Sequence, residues 1–255
     1  MIRLAKPHIT EEAIGIVAEV LRSGNLVQGE YVKQFEQGLE QYLNVKHAVL
    51  VSSGTAALHL SLLALEIGSG DEVIVPAFTY PATANVVEIV GAKPVLVDIT
   101  LDDFCIDISK IEAVITDRTK AIIPVHEFGQ SADIDPILAI AKQYNLMIVE
   151  DAACALGSEY KEQKAGTFGN LGCFSFHPRK SITTGEGGAI VTDDQELAEK
   201  VRSFRNHGIS VFNDKINFEY AGLNYRMTDF QAVLGIAQLN EIDFLINHRI
   251  KMAEV

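Results

Sequence analysis

Three groups of residues in this chain are of types that could do chemistry together, and each falls where a predicted strand ends. The first is FSFHPRKSITTGEGG at 174–188, which holds one lysine, Lys180, among small and hydroxylated residues. A lysine amine becomes a nucleophile when its pKa is lowered or when it already carries an aldehyde. Otherwise it is a solvated surface charge, the commoner fate of a lysine. Ser175 could bind an anion and His177 could act as a base, although a histidine alone is more often structural. The second group is Glu150-Asp151. A carboxylate at a strand end could act as a base, hold a metal or pair with a cationic heterocycle. On local grounds a capping or salt-bridging acid fits equally well. The third group is Ser53-Gly54-Thr55-Ala56, between a predicted strand and a predicted helix. Gly54 permits close backbone approach, and amides at a helix N-terminus beside the Thr55 hydroxyl suit a phosphate. For these few residues alone, an ordinary helix cap is the simpler reading.

One cofactor uses all three groups. Pyridoxal 5′-phosphate (PLP) needs a lysine for its Schiff base, an acid for its pyridine nitrogen and a phosphate cup. The acid keeps the ring nitrogen protonated, so the ring can draw electrons from the carbanion left when a substrate Cα proton departs. Tyr80, just after a predicted strand at 72–76, is placed to stack on such a ring, although a core or surface tyrosine fits the sequence as well. Other chemistries find less support. There is no GxGxxG, no GxxxxGK[ST] and no G-x-S-x-G. Cys105, Cys154 and Cys173 are not spaced as a zinc site or a CxxC pair. No His/Cys/Asp cluster has metal-ligand spacing, so a metal is not expected.

The elements that must position these groups follow from periodicity. Thr10 reads as the N-cap of a helix to about Arg22, and a second helix is predicted at 30–43. Strands predicted at 47–52, 72–76, 94–98, 121–125 and 146–150 then alternate with helices at 54–66, 82–90, 108–115 and 135–144. Such alternation reads as βαβ units building an α/β fold, a mostly parallel sheet with helices on both faces. Ligands in such sheets bind beyond the carboxyl ends of the strands. Strand-like runs at 172–176 and 188–192 flank Lys180, a helix follows at 195–206, and a long helical pattern runs from Thr228 onward. It ends in HRIKMAEV without a stop signal, as expected of a fragment or a shortened form.

Composition bounds the partners. The 255 residues suffice for one large domain, and 48% of them are hydrophobic. A formal charge of −13 argues against a general nucleic-acid binder and against a polybasic membrane anchor. Three cysteines, an odd number, suggest free thiols in a cytoplasmic protein. The first twenty residues lack a signal-peptide pattern, and the apolar stretch at 48–65 reads as strand, turn and helix of a buried core.

The motifs SSGTAALHLSL, GDEVIVPAFTYPATANVV, VEDAACALGS, FSFHPRKSITTGEGGAIVTDD and NYRMTDFQAVLGIAQL span essentially the whole chain. In that order they resemble the DegT/DnrJ/EryC1/StrS family of PLP-dependent sugar aminotransferases. The resemblance implies a fold-type I large domain at 1–238. Residues 239–255 would start the helix leading to a smaller C-terminal domain that this sequence does not include. It implies transfer of an amino group, usually from glutamate, to a keto group of a nucleotide-activated sugar, for amino-sugar biosynthesis; a carbocyclic ketone is an alternative acceptor. It makes Lys180 the Schiff-base lysine and proton carrier, and chooses Asp151 over Glu150 as partner of the ring nitrogen. It makes Tyr80 the stacking aromatic, and Gly54, Thr55, Ser175 and the amide of Ala56 the phosphate contacts. Asn224 would reach the phosphate of a second subunit, which implies a homodimer with shared active sites. Cys154 stands where many members have Gln or His near the ring hydroxyl. Family dehydratases carry a histidine in place of the lysine, so Lys180 weighs against that activity. A cysteine desulfurase needs a mobile reactive cysteine, whereas Cys154 falls in predicted core. From a different class comes a shortened, non-catalytic PLP-binding or regulatory paralogue.

Overall fold

Alternating apolar residues decide the architecture. In the computed structural model, which describes residues 6–212 and 215–253, β1 (His47–Val51) turns Val49 and Val51 to one side and Ala48 and Leu50 to the other, all buried. A strand buried on both faces must lie between two helical layers. The same alternation recurs in β2 (Glu72–Pro76), β4 (Thr119–Ile122), β5 (Met147–Asp151), β8 (Leu171–Ser175) and β9 (Gly188–Thr192). With β3 (Lys93–Val97) these form a seven-stranded sheet in the order β1-β9-β8-β5-β4-β2-β3. Neighbours from β8 to β3 are parallel, while β9 is antiparallel to both β1 and β8. Six strands therefore run one way and β9 the other, so the expected mostly parallel sheet is present.

One face packs against α3 (Gly54–Ala64), α4 (Ala82–Ile89) and α6 (Gln195–Arg205). The other packs against α2 (Glu30–Leu43), α5 (Ile134–Tyr144) and α7 (Asp229–Leu239). Helix α1 (Glu11–Ser23) begins at Thr10, whose hydroxyl accepts a hydrogen bond from Ala13 N at 3.2 Å, as its sequence predicts. Helix α8 (Ile242–Ala253) follows α7. Residues 1–5, and 254–255 at the end of the expected 239–255 segment, lie outside the described residues.

Three expectations are corrected, and two hairpins are added. The helix at 108–115 is instead two 3₁₀ turns, Ile108–Lys110 and Glu112–Val114. Ile108, Ile111 and Val114 recur every third residue, which a three-residue turn stacks on one side. The strand at 121–125 pairs earlier, because Pro124 has no N–H for a ladder, and resumes as a single bridge from Val125 to Asp151. The long helix from Thr228 breaks after Leu239. Glu241 N turns back to Gln238 O at 3.2 Å, and α8 restarts with Ile242 buried. Two hairpins carry no clear sequence signal: β6 (Glu159–Tyr160) with β7 (Gln163–Lys164), and β10 (Ile209–Phe212) with β11 (Lys215–Phe218). The first turns on Lys161 and Glu162, both at positive φ without a glycine.

Candidate active site

The three groups meet beyond the carboxyl ends of the parallel strands. A cleft of about 490 Å³ is lined by Gly54, Thr55, Tyr80, Asp151, Ser175 and Lys180, among others. Topology explains the convergence. Residues following β1, β2, β5 and β8 all leave the sheet at the same edge.

Asp151 ends β5 and is buried. Its Oδ2 accepts a hydrogen bond from Thr83 Oγ1 at 2.8 Å and its Oδ1 from Ala153 N at 3.1 Å. Burial pushes its carboxyl above the ordinary aspartate range, against the pull of these bonds, Lys180 and His126. Among the described residues no cation forms an ion pair with it. A buried carboxylate with two neutral donors and an open side toward a cleft is suited to a cationic ligand.

Glu150 points the other way, as strand alternation requires. Its carboxylate is fully buried and saturated: it accepts from Gly166 N, Phe168 N and Gly169 N at 2.6–2.9 Å, and it lies 2.9 Å from His126 Nε2. Because His126 Nδ1 accepts from Ala132 N at 3.1 Å, Nε2 carries the proton toward Glu150. Glu150 is thus a structural anchor for the 166–169 loop.

In the same cleft, the β1–α3 turn presses against β8. A Cβ on Gly54 would stand 2.8 Å from Ser175 Cβ, so only glycine allows this approach. Ser53 caps α3 by accepting from Ala56 N at 3.0 Å. The Ala56 amide, expected at the phosphate, is thus engaged by Ser53 in this structure, and Ala56 is not among the residues lining the cleft. Among the described hydrogen bonds, the amides of Gly54 and Thr55 have no acceptor within the protein. With Thr55 and Ser175 they form a small, donor-rich cup at a helix N-terminus.

Lys180 lies in the turn after β8, half-buried, with its Nζ 2.9 Å from Cys154 Sγ. Its backbone is held at both ends: Lys180 N donates to His177 O at 2.9 Å, and Arg249 of α8 donates to Lys180 O. His177 accepts from Arg179 N through Nδ1 at 3.3 Å, which shapes the same turn. Tyr80 forms a wall of the cleft with its side chain 77% exposed. Asn224 is not brought into this cleft. Its side chain accepts from Arg226 Nε at 3.1 Å, and its backbone bridges to Asn206.

Sequence reasoning missed Thr83 and Glu127. Thr83 occupies the first turn of α4, three residues after Tyr80, and reaches Asp151 across the end of β4. Glu127 lines the cleft on a short turn after β4. An acid two residues past the strand predicted at 121–125 was the available signal for Glu127. Among the described residues, no three His, Cys, Asp or Glu side chains group as metal ligands.

The sequence model of the DegT/DnrJ/EryC1/StrS aminotransferase family matches residues 7–255. The chain belongs to this family. It is 50% identical over 215 residues to GDP-perosamine synthase from Caulobacter vibrioides, covering 84% of this chain and 58% of that protein. It is 43% identical over 256 residues to the spore coat polysaccharide biosynthesis protein SpsC from Bacillus subtilis, covering 97% of this chain and 66% of that one. The chain thus spans about three-fifths to two-thirds of these relatives.

Solved structures agree. Helicobacter pylori PseC, an aminotransferase involved in the biosynthesis of pseudoaminic acid, superposes with a TM-score of 0.89 at 37% identity, over 95% of this chain and 66% of that one. The Escherichia coli GDP-4-keto-6-deoxy-D-mannose-3-dehydratase with bound hydrated PLP gives 0.93 at 32%, over 98% and 70%. The sheet and its helical layers are the fold-type I large domain of this family.

Proposed function

We propose that this chain carries the PLP site of an aminotransferase that moves an amino group from an amino acid, glutamate foremost, to a keto group of a nucleotide-activated sugar. The observation that carries this reading is the meeting of three roles in one cleft. Asp151, Lys180 and the cup of Gly54, Thr55 and Ser175 all line it. These residues fit the cofactor: the unpaired buried carboxylate matches a pyridinium nitrogen, and the free amides match a phosphate. PLP supplies an electron sink and a carrier for the amine when bound.

The chain's own residues do the rest. Lys180 would hold the cofactor through its amine and would serve as the base that carries the substrate Cα proton. Asp151 keeps the ring nitrogen protonated, and Thr83 holds that carboxylate in place. Tyr80 covers one face of the ring. The Gly54 and Thr55 amides and the Ser175 hydroxyl bind the phosphate. Asn224, outside its own chain's cleft, completes the phosphate site of a second copy, so the working unit is a homodimer with shared sites. Residues 1–238 form the cofactor-binding unit, and 239–255 lead out of it.

The names of the relatives favour amino-sugar biosynthesis of the kind that feeds surface polysaccharides. The dehydratase on the same fold is the competing activity, and Lys180 favours the aminotransferase. No described helix is long and apolar enough to cross a membrane, and we place the enzyme in the cytoplasm with its small-molecule substrates.

The test is spectroscopic. Protein reconstituted with PLP should absorb in the visible, bleach on addition of glutamate and regain colour with a keto sugar nucleotide. Colour and stoichiometric cofactor without bleaching would instead support the non-catalytic, regulatory reading.

A further inference from the structure

Glu127 has no place in the reading above. It follows β4, is half-buried and lines the cleft. Among the described residues, nothing hydrogen-bonds its carboxylate; its neighbours act on it only through charge, Asp151 raising its pKa and Lys180 lowering it. Burial is the largest influence and also raises it. The turn that carries Glu127 is fixed on both sides. His126 is locked between Glu150 and Ala132 N, and Gly129 O accepts from Ser158 Oγ at 2.6 Å. Phe128, between them, sits at a left-handed φ of 54°. A free carboxyl on so constrained a turn is aimed at whatever fills the cleft.

The sheet order says which part of the cofactor that would be. The phosphate cup stands at the ends of β1 and β8, Asp151 at the end of β5, and Glu127 past the end of β4, on the other side of β5 from the cup. In PLP the phosphate arm and the ring hydroxyl flank the aldehyde-bearing carbon, and the ring nitrogen lies opposite that carbon. A ring held with its nitrogen at Asp151, its aldehyde carbon at Lys180 and its arm toward β8 would face β4 with its hydroxyl edge. That Glu127 feels both Asp151 and Lys180 agrees with a place along this edge.

We propose that Glu127 is a positioning residue for the cofactor. It faces the hydroxyl edge of the ring, and its negative charge favours the protonated form of the Lys180 link. The inference rests on the proposed PLP site. The other titratable groups facing the cleft are Tyr80 after β2, Asp151 and Cys154 from the β5 end, and His177, Arg179, Lys180 and Glu186 from the β8–β9 turn, with His126 beneath Glu127 itself.

The experiment is a pH titration of the visible absorption of the PLP-loaded full chain, without substrate, comparing wild type with Glu127→Gln and Glu127→Asp. Removing one charge beside the link should lower the midpoint in the Gln variant by about one pH unit. The Asp variant should fall between Gln and wild type. A coloured Gln variant that titrates like wild type overturns the inference. If the Gln variant takes up no cofactor, the Asp variant decides: a lowered midpoint supports the proposal, and an unchanged one overturns it. A wild-type chain that takes up no PLP overturns the underlying reading, and this inference with it.

Discussion

Asp151 and Glu150 are adjacent acids with opposite physical characters. Asp151 is buried with two neutral donors and a raised pKa, so its charge is a liability until a cation arrives. A carboxyl whose folded pKa lies above its unfolded value holds its proton more tightly when folded. The cofactor-free protein should therefore lose stability as pH rises from the ordinary aspartate range through the raised folded value. Asp151→Asn should flatten that slope and raise the melting temperature of the cofactor-free protein at neutral pH, while lowering transamination by about 100-fold or more. Thermal melts across a pH series check the first effect, and glutamate bleaching rates the second. Glu150 is the reverse, with every oxygen satisfied. Glu150→Ala leaves three amides and His126 without their acceptor, which should cost about 3 kcal/mol in a denaturant titration.

At the scale of elements, the β1–α3 turn is where backbone geometry makes the site. Gly54→Ala would drive its methyl into Ser175 and part the two sides of the phosphate cup. We expect PLP affinity to fall by about 10-fold or more, with a smaller change in global stability; titration by absorbance measures it. That turn was legible from the sequence because a short apolar run, a small polar cluster and a leucine-rich helix follow one another. Strands β1, β2 and β9 and helices α2 and α6 were legible within a residue or so for the same local reason. What was not legible depends on distant partners. Strand alternation alone separates Asp151 from Glu150, but saturation of Glu150 comes from a loop sixteen or more residues away. Helix α2 has no side-chain cap of its own, and Asp229 of α7 accepts from Gly29 N and Val32 N at 2.8 and 3.0 Å instead. Thr83 and Glu127 join the site only because the sheet order sets β4 between β2 and β5.

At the scale of the molecule, the cleft is tied to the far end of the chain. Arg249 of α8 holds Lys180 O, and Ile246 packs where a Cβ on Gly157 would lie. The site is also proposed to need a second copy, since Asn224 stands outside its own chain's cleft. Asn224→Asp would place a negative charge against the partner's bound phosphate. Such a variant should stay dimeric by sedimentation and bind PLP about 10-fold more weakly. A monomeric wild-type chain that binds PLP at full strength would contradict the shared site. The most direct test of the whole account is to reduce the PLP-loaded protein with borohydride and map the modified peptide by mass. We predict one cofactor per chain, fixed on Lys180 and absent from Lys180→Ala. Label on another lysine, or undiminished label in Lys180→Ala, would contradict it.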